Sequence, residues 1–338
     1  MDCERCGQRM LMLSSFEPAF AVGTGGMASA SRRFMTLLVD APTSQRRGGT
    51  SYVCRAVAMD GEPIALKRLR PLAPDLDPQA AELAERARRR ALFEEYRNQL
   101  AVGRLRGFPR LYGYASVEGQ PAILMEWVEG ITLRDAIPLL PREEGGCTGR
   151  AVADVGVAVL EVLAGVARLD GRLVHRDLSP RNVMLRTRSR TVAEQFAHGR
   201  PEVVLVDFGS STIPEPDEPS LTTAADIWRN GTPEYAPPEM LTRDVASVTA
   251  LRSSPKIDVY ALCSVLYELY GGRTPFMLAQ RRGESPYRVK TECALSELEP
   301  RSPGDVELCE AIMSGIRGFQ DARPSPEELL RRLRAWRG

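Results

Sequence analysis

Leu173-Val174-His175-Arg176-Asp177-Leu178-Ser179-Pro180-Arg181-Asn182-Val183-Met184-Leu185 decides the fold together with Val203-Val204-Leu205-Val206-Asp207-Phe208-Gly209, which follows after a polar interval. Each half sets a short apolar strand signal beside polar side chains that a plain surface loop does not need in that order. Asp177, Asn182 and Asp207 supply three oxygen-bearing side chains, the ligand type that hard cations such as Mg²⁺ share with phosphate oxygens. The bland alternative is two strands with polar caps, and an isolated Asp-Phe-Gly would carry no more than that. An H-R-D-L-x-x-x-N string followed by D-F-G is a far more specific combination.

These motifs resemble the catalytic loop and metal-binding turn of the eukaryotic-type (Hanks-type) serine/threonine protein kinases. The resemblance implies an α+β, two-lobed protein kinase-like fold with a small β-rich N-lobe and a larger helical C-lobe. It also implies that Asp177 takes or orients the proton of a substrate hydroxyl, and that Asn182 and Asp207 hold Mg²⁺ on the phosphates of ATP.

Upstream, Gly48-Gly49 opens a β-hairpin whose second strand ends in Ile64-Ala65-Leu66-Lys67, with Asp60-Gly61 as the turn. A glycine-rich turn lets backbone N–H groups approach phosphates. By itself Gly-Gly marks an ordinary hairpin, and only its spacing to Lys67 resembles the family's V-A-I-K arrangement. By that resemblance Lys67 contacts the α- and β-phosphates while Val53 and Ala65 cover adenine. The family's first and third loop glycines fall at Arg46 and Ser51, so the loop departs from the pattern. Pro78 to Leu105 is rich in Ala, Glu, Arg and Leu and predicts a long helix. Glu95 is the expected partner of Lys67, with Glu94 as the alternative. Gln99 stands where the family usually has an apolar residue. Strands are expected at 111–114 and 122–126, around a turn at Glu118-Gly119. The run after them resembles the hinge, with Met125 lining the pocket and the backbone of Glu126 and Val128 facing the adenine edge.

Pro138 to Gly149 reads as a loop, and the valines and leucines from Val152 to Val166 recur at helical spacing. Two signals on substrate class conflict. Ser179 stands where Ser/Thr kinases carry Lys, and Arg181 stands where tyrosine kinases carry their phosphate-facing Arg. Gly231-Thr232-Pro233-Glu234-Tyr235-Ala236-Pro237-Pro238-Glu239 resembles the Ser/Thr form of the end of the activation segment, with Thr232 near the catalytic Asp, and this reading is given the greater weight. Arg181 would neutralise charge on the transferring phosphoryl group. Arg176 would receive a phosphorylated Thr222 or Thr223. Asp258 would anchor the catalytic loop, Cys263 replaces a usual Gly, and Arg323 would pair with Glu239.

Bulk properties bound the rest. The 338 residues carry 45 basic and 44 acidic side chains, net +1, so bulk charge gives no reason to expect a nucleic-acid or anionic-membrane partner. No apolar run is long enough to cross a membrane and no signal peptide is evident. Seven cysteines, an odd number, indicate reduced thiols and a cytoplasmic setting. Cys3-x-x-Cys6 is half of a zinc-ribbon pattern, and whether it binds metal stays open. Residues 1–33 read as a disordered leader, followed by a kinase domain over 34–338, with the N-lobe over about 34–126 and the C-lobe over about 130–338. Only three lysines occur: Lys67, Lys256 and Lys290. The expected activity is ATP-dependent phosphorylation of protein Ser or Thr, regulated in the activation loop. A pseudokinase binding module and a small-molecule phosphotransferase are the alternatives, and the oligomeric state is unknown.

Overall fold

The computed structural model describes residues 2–3, 8–20, 26–40, 46–47, 50–72, 75–167, 174–207, 233–281 and 283–338. They fall into two compact units, one of residues 1–104 and 109–128, the other of 105–108 and 129–338.

The first unit is a sheet with one long helix. Its strands are β1 (Asp2–Cys3), β2 (Gln8–Met12), β3 (Ser15–Pro18), β4 (Thr36–Asp40), β5 (Arg46–Arg47), β6 (Ser51–Ala58), β7 (Pro63–Leu69), β8 (Leu111–Val117) and β9 (Gln120–Glu126). They are ordered β1-β2-β4-β6-β7-β9-β8-β3, and β5 pairs β6. Turn chemistry sets the hairpins. Gly61 sits at φ 86° between β6 and β7, and Glu118 and Gly119 at φ 52° and 75° between β8 and β9. Positive φ at both central residues of the two-residue β8–β9 turn is the type I′ geometry that matches the twist of its strands.

β2 and β3 are neighbours in sequence yet pair at opposite ends of this order, β2 with β4 and β3 with β8. Between them, Leu13 N–H donates to Met35 O at 2.9 Å and Ser14 N–H to Ser116 O at 2.8 Å. The sheet therefore curls until one continuous segment, 8–18, straps its two sides together. Leu11, Leu13 and Phe34 pack inside against Leu37, Ile64, Leu66 and Leu124. Residues 1–33, read above as a disordered leader, thus contain strands β2 and β3 and helix α1 (Gly26–Phe34). The strap is held by burial of its leucines and by backbone pairing that a free leader would lack.

Helix α2 (Pro78–Val102) crosses the other face of the sheet. Asp77 caps it by accepting from Gln79 and Ala80 N–H, and Pro78 fills its first position. Leu92 and Tyr96 pack against Ala65, Ile123 and Met125.

The second unit is mainly helical: α3 (Leu133–Ala136), α4 (Gly149–Val166), α5 (Val192–Ala197), α6 (Pro238–Leu241), α7 (Lys256–Gly271), α8 (Pro286–Glu292), α9 (Val306–Gly315) and α10 (Pro326–Arg337). Helix α7 is buried along almost its whole length. A small sheet, β10 (Gly130–Thr132), β13 (Val183–Arg186) and β14 (Val203–Leu205), carries the candidate site. The expected loop at 138–149 folds into a short hairpin, β11 (Arg142–Glu143) with β12 (Gly146–Cys147). The polar interval after β13 is occupied by α5, which is closed by a Thr191–Glu194 capping box. Cys263 is buried against Gly315 of α9, where an added Cβ would lie 2.2 Å from Cys263 Sγ, so the glycine leaves the room that the thiol fills.

Candidate active site

In the sheet unit, side chains alternate along β7, so Ile64 and Leu66 point into the strapped core while Ala65 and Lys67 share the opposite face. Val53 is the register partner of Lys67, and Met125 that of Ala65. Lys67 Nζ donates to Glu95 Oε1 at 2.6 Å with both side chains buried. Glu94, the alternative, meets Arg97 at 3.3 Å on the exposed side of the helix. Gln99 Nε2 donates to the same Glu95 oxygen at 3.4 Å and lies 3.9 Å from Met125 Sδ. The residue noted in sequence only as a departure therefore steadies the carboxylate. Glu126 N–H donates to Arg110 O at 2.8 Å, and Val128 is buried. Gly48 and Gly49 lie outside the described residues.

In the helical unit the site hangs on Asp258, at the start of α7. Its carboxylate accepts from His175 N–H at 2.8 Å and Arg176 N–H at 2.9 Å. Two consecutive amides turned to one carboxylate bend the chain there, and Arg176 takes a left-handed backbone with φ 67°. A bulky residue reaches that region at a cost, which the two charge-assisted bonds offset. Burial holds the pKa of His175 below its ordinary value, and its Nε2 lies 3.2 Å from Val206 O.

Asp177 follows at once. Asn182 Nδ2 donates to Asp177 O at 2.8 Å and to Asp177 Oδ2 at 2.9 Å, so one amide fixes both the backbone and the carboxylate. Val183 pairs with Leu205, which brings Asn182 and Val206 side by side, with Val206 N–H donating to Asn182 O at 2.9 Å. Asp207 comes next, with φ 67°. The register of one antiparallel pair thus delivers Asp177, Asn182 and Asp207 to one end of a small sheet. With its NH₂ turned to Asp177, Asn182 directs its oxygen elsewhere, and an amide oxygen beside an Asp suits a hard divalent cation. Arg181 is exposed on the same loop. Thr232, Phe208, Gly209, Thr222 and Thr223 lie outside the described residues, as does Cys6.

Behind this loop, Arg323 donates to both oxygens of Glu239, Nη1 to Oε1 at 2.6 Å and Nη2 to Oε2 at 2.9 Å. The fully buried Arg252 donates through Nε to Glu239 O at 3.0 Å, a contact with no forerunner in the sequence reading.

The model of the protein kinase domain matches residues 47–331. The chain belongs to the protein kinase domain family. It is 33% identical to the serine/threonine-protein kinase PkaA of Streptomyces coelicolor over 221 residues, 64% of this chain and 35% of that protein. It is 32% identical to PkaB of the same organism over 215 residues, 63% of this chain and 45% of that one. PknB of Mycobacterium tuberculosis, also a serine/threonine-protein kinase, is 32% identical over 169 residues, 50% of this chain and 22% of PknB. The matched stretches span less than half the length of each of these relatives. Membership of the kinase family implies, in general terms, ATP, a divalent metal and protein substrates. The sheet unit and the helical unit are those of a two-lobed kinase fold. Among the described residues, no helix is long and apolar enough to cross a membrane.

Proposed function

We propose that the chain is a Ser/Thr protein kinase, transferring the γ-phosphate of ATP to hydroxyls of protein substrates with Mg²⁺. The observation that carries this reading is the pair of bonds from Asn182 Nδ2 to the carbonyl and carboxylate of Asp177, which locks a proton acceptor to a metal ligand. The names of the relatives favour Ser/Thr over Tyr. The catalytic unit is proposed to include the strap at 8–18 as well as the 34–338 expected from the sequence.

Asp177 orients the acceptor hydroxyl and takes its proton as the new P–O bond forms and the bond from the γ-phosphorus to the bridging oxygen breaks, releasing ADP. Asn182 and Asp207 would hold Mg²⁺, which when bound offsets phosphate charge. Lys67, oriented by Glu95, neutralises the α- and β-phosphates. Val53, Ala65 and Met125 pack on adenine, Glu126 and Val128 bond its edge through their backbone, and the Gly48-Gly49 turn covers the phosphates. Arg181 neutralises charge on the transferring group, and Thr232 steadies Asp177. Arg176 is the proposed receiver of an activating phosphate. ATP supply makes the cytoplasm the expected compartment.

The test is autophosphorylation with labelled ATP and Mg²⁺, beside Asp207→Ala and Lys67→Met, with phosphoamino-acid analysis. Label on Ser or Thr in the parent alone is expected. Label on Tyr would overturn the specificity, and a parent that binds no ATP would turn the reading to a pseudokinase. A parent that binds ATP yet labels only small hydroxyl compounds would make it a small-molecule phosphotransferase.

A further inference from the structure

Lys290 sits on α8 among polar neighbours, Arg288, Thr291 and Glu292, yet it is only 4% exposed. Its ammonium donates to Glu234 O at 2.8 Å and Ala236 O at 2.7 Å. The rings of Tyr260 and Phe276 lie 5.2 and 5.7 Å from Nζ. Burying an ammonium is costly unless its donors are used, and an apolar side chain would fill this space at lower cost. What an apolar residue could not do is hold two carbonyls of one turn.

The same turn is fastened twice more. The Glu234 carboxylate accepts from Leu278 N–H at 3.2 Å and Ala279 N–H at 2.8 Å. The Tyr235 hydroxyl donates to Glu268 Oε2 at 2.6 Å and also meets Arg134. Burial, reinforced by Glu268, raises the pKa of Tyr235 and keeps it a donor. Three successive residues, 234 to 236, are therefore tied to three different elements, and Lys290 is the tie that acts on the backbone.

We propose that Lys290 is a positioning residue for the acceptor peptide, holding the backbone at Glu234–Ala236 in the shape against which the peptide docks. The inference rests on the proposed reading of this segment as the peptide platform. The catalytic loop is held separately, by Asp258, so loosening the platform weakens peptide binding and leaves the chemical step intact.

The experiment uses the full chain, Lys290→Met and Lys290→Arg, with a serine peptide that the parent phosphorylates. Freeing two buried carbonyls raises the peptide KM about tenfold in Lys290→Met, and amides of 233–241 exchange hydrogen about tenfold faster. The kcat and the KM for ATP stay within about twofold, because only uniform binding is lost, and Lys290→Arg, which keeps the donors, recovers part of the loss. Unchanged exchange, or a fall in kcat as large as the rise in KM, overturns the proposal. Should Lys290→Met not fold, Glu234→Gln slackens the same turn through Leu278 and Ala279, and an unchanged peptide KM there overturns it equally. A parent that labels no peptide would sink the functional reading, while the exchange rates still decide whether Lys290 holds the segment.

Discussion

Lys67 meets Glu95 through one oxygen at 2.6 Å, whereas Arg323 straddles Glu239 with two nitrogens at 2.6 and 2.9 Å. Both pairs are buried and both join a cation to a glutamate, one in each unit. The guanidinium of Arg323 also donates to Arg317 O at 2.7 Å and Gly318 O at 3.0 Å, and Gln320 Nε2 reaches Glu239 Oε1 at 2.8 Å. The planar fork of Arg matches a carboxylate at two points, while the Lys ammonium is a point charge on a flexible stem. The difference separates a fastening from a contact that can be made and broken. The fork holds loop, helix and activation-segment end together at two points of one carboxylate, a tighter geometric constraint than the Lys ammonium places on Glu95.

The comparison can be pressed in four ways. The sheet unit rests on apolar closure more than on its ion pair, so deleting residues 2–34 has the largest effect. It removes Leu11, Leu13 and Phe34, each worth about 2–5 kcal/mol when truncated, a sum comparable with the whole stability of about 5–15 kcal/mol of a domain. The unit then loses its cooperative melting transition in calorimetry; retention of that transition within a few degrees would show the strap to be dispensable. Arg323→Met comes next, costing about 3–5 kcal/mol in urea unfolding because Glu239 is left buried without its fork.

Lys67→Met is expected to lower phosphate transfer about 10²–10³-fold while costing less than half the stability lost in Arg323→Met. Equal stability losses in the two variants would erase the distinction between fastening and contact. The last case is Lys290, a buried cation whose bonds go to carbonyls instead of a carboxylate, and its effect per pH unit is the smallest of the four. Burial brings its pKa down to about 7, against the attraction of Glu234 and Glu239 and with the help of Arg323. Because the folded pKa lies below the unfolded one, the unfolded chain binds the extra proton between them. Stability therefore rises with pH from about 7 towards 10, by at most about 1.4 kcal/mol per unit. Lys290→Met flattens that slope, and a slope unchanged in the variant would refute the assignment.

The two units differed in how far sequence could be read. Asp177, Asn182 and Asp207 were legible because one strand register joins their positions, and fixed offsets between residue types record it. Glu95 was legible with Glu94 still open, since helical spacing narrows a face to neighbouring positions and only burial chooses between them. The strap was not legible. Met10-Leu11-Met12-Leu13 is apolar on both faces, so the alternation that marks a half-buried strand is hidden, although Leu11 is buried and Met12 exposed. Its partners at 36–40 and 111–117 are also remote in sequence. Lys290 drew no assignment from the sequence, because its own helix is polar. Its burial comes from carbonyls contributed by a distant segment, and the scarcity of lysine was the one available sign.

The strap also dictates a schedule. Residues 15–18 leave the ribosome early, but β8, against which they pair, is made nearly at the end of the sheet unit. At about 5–20 residues per second, residues 15–18 wait several seconds for their partner. Throughout that interval Leu11, Leu13 and Phe34 lack the core residues that β8 and β9 contribute, so their apolar surface stays uncovered until those strands emerge.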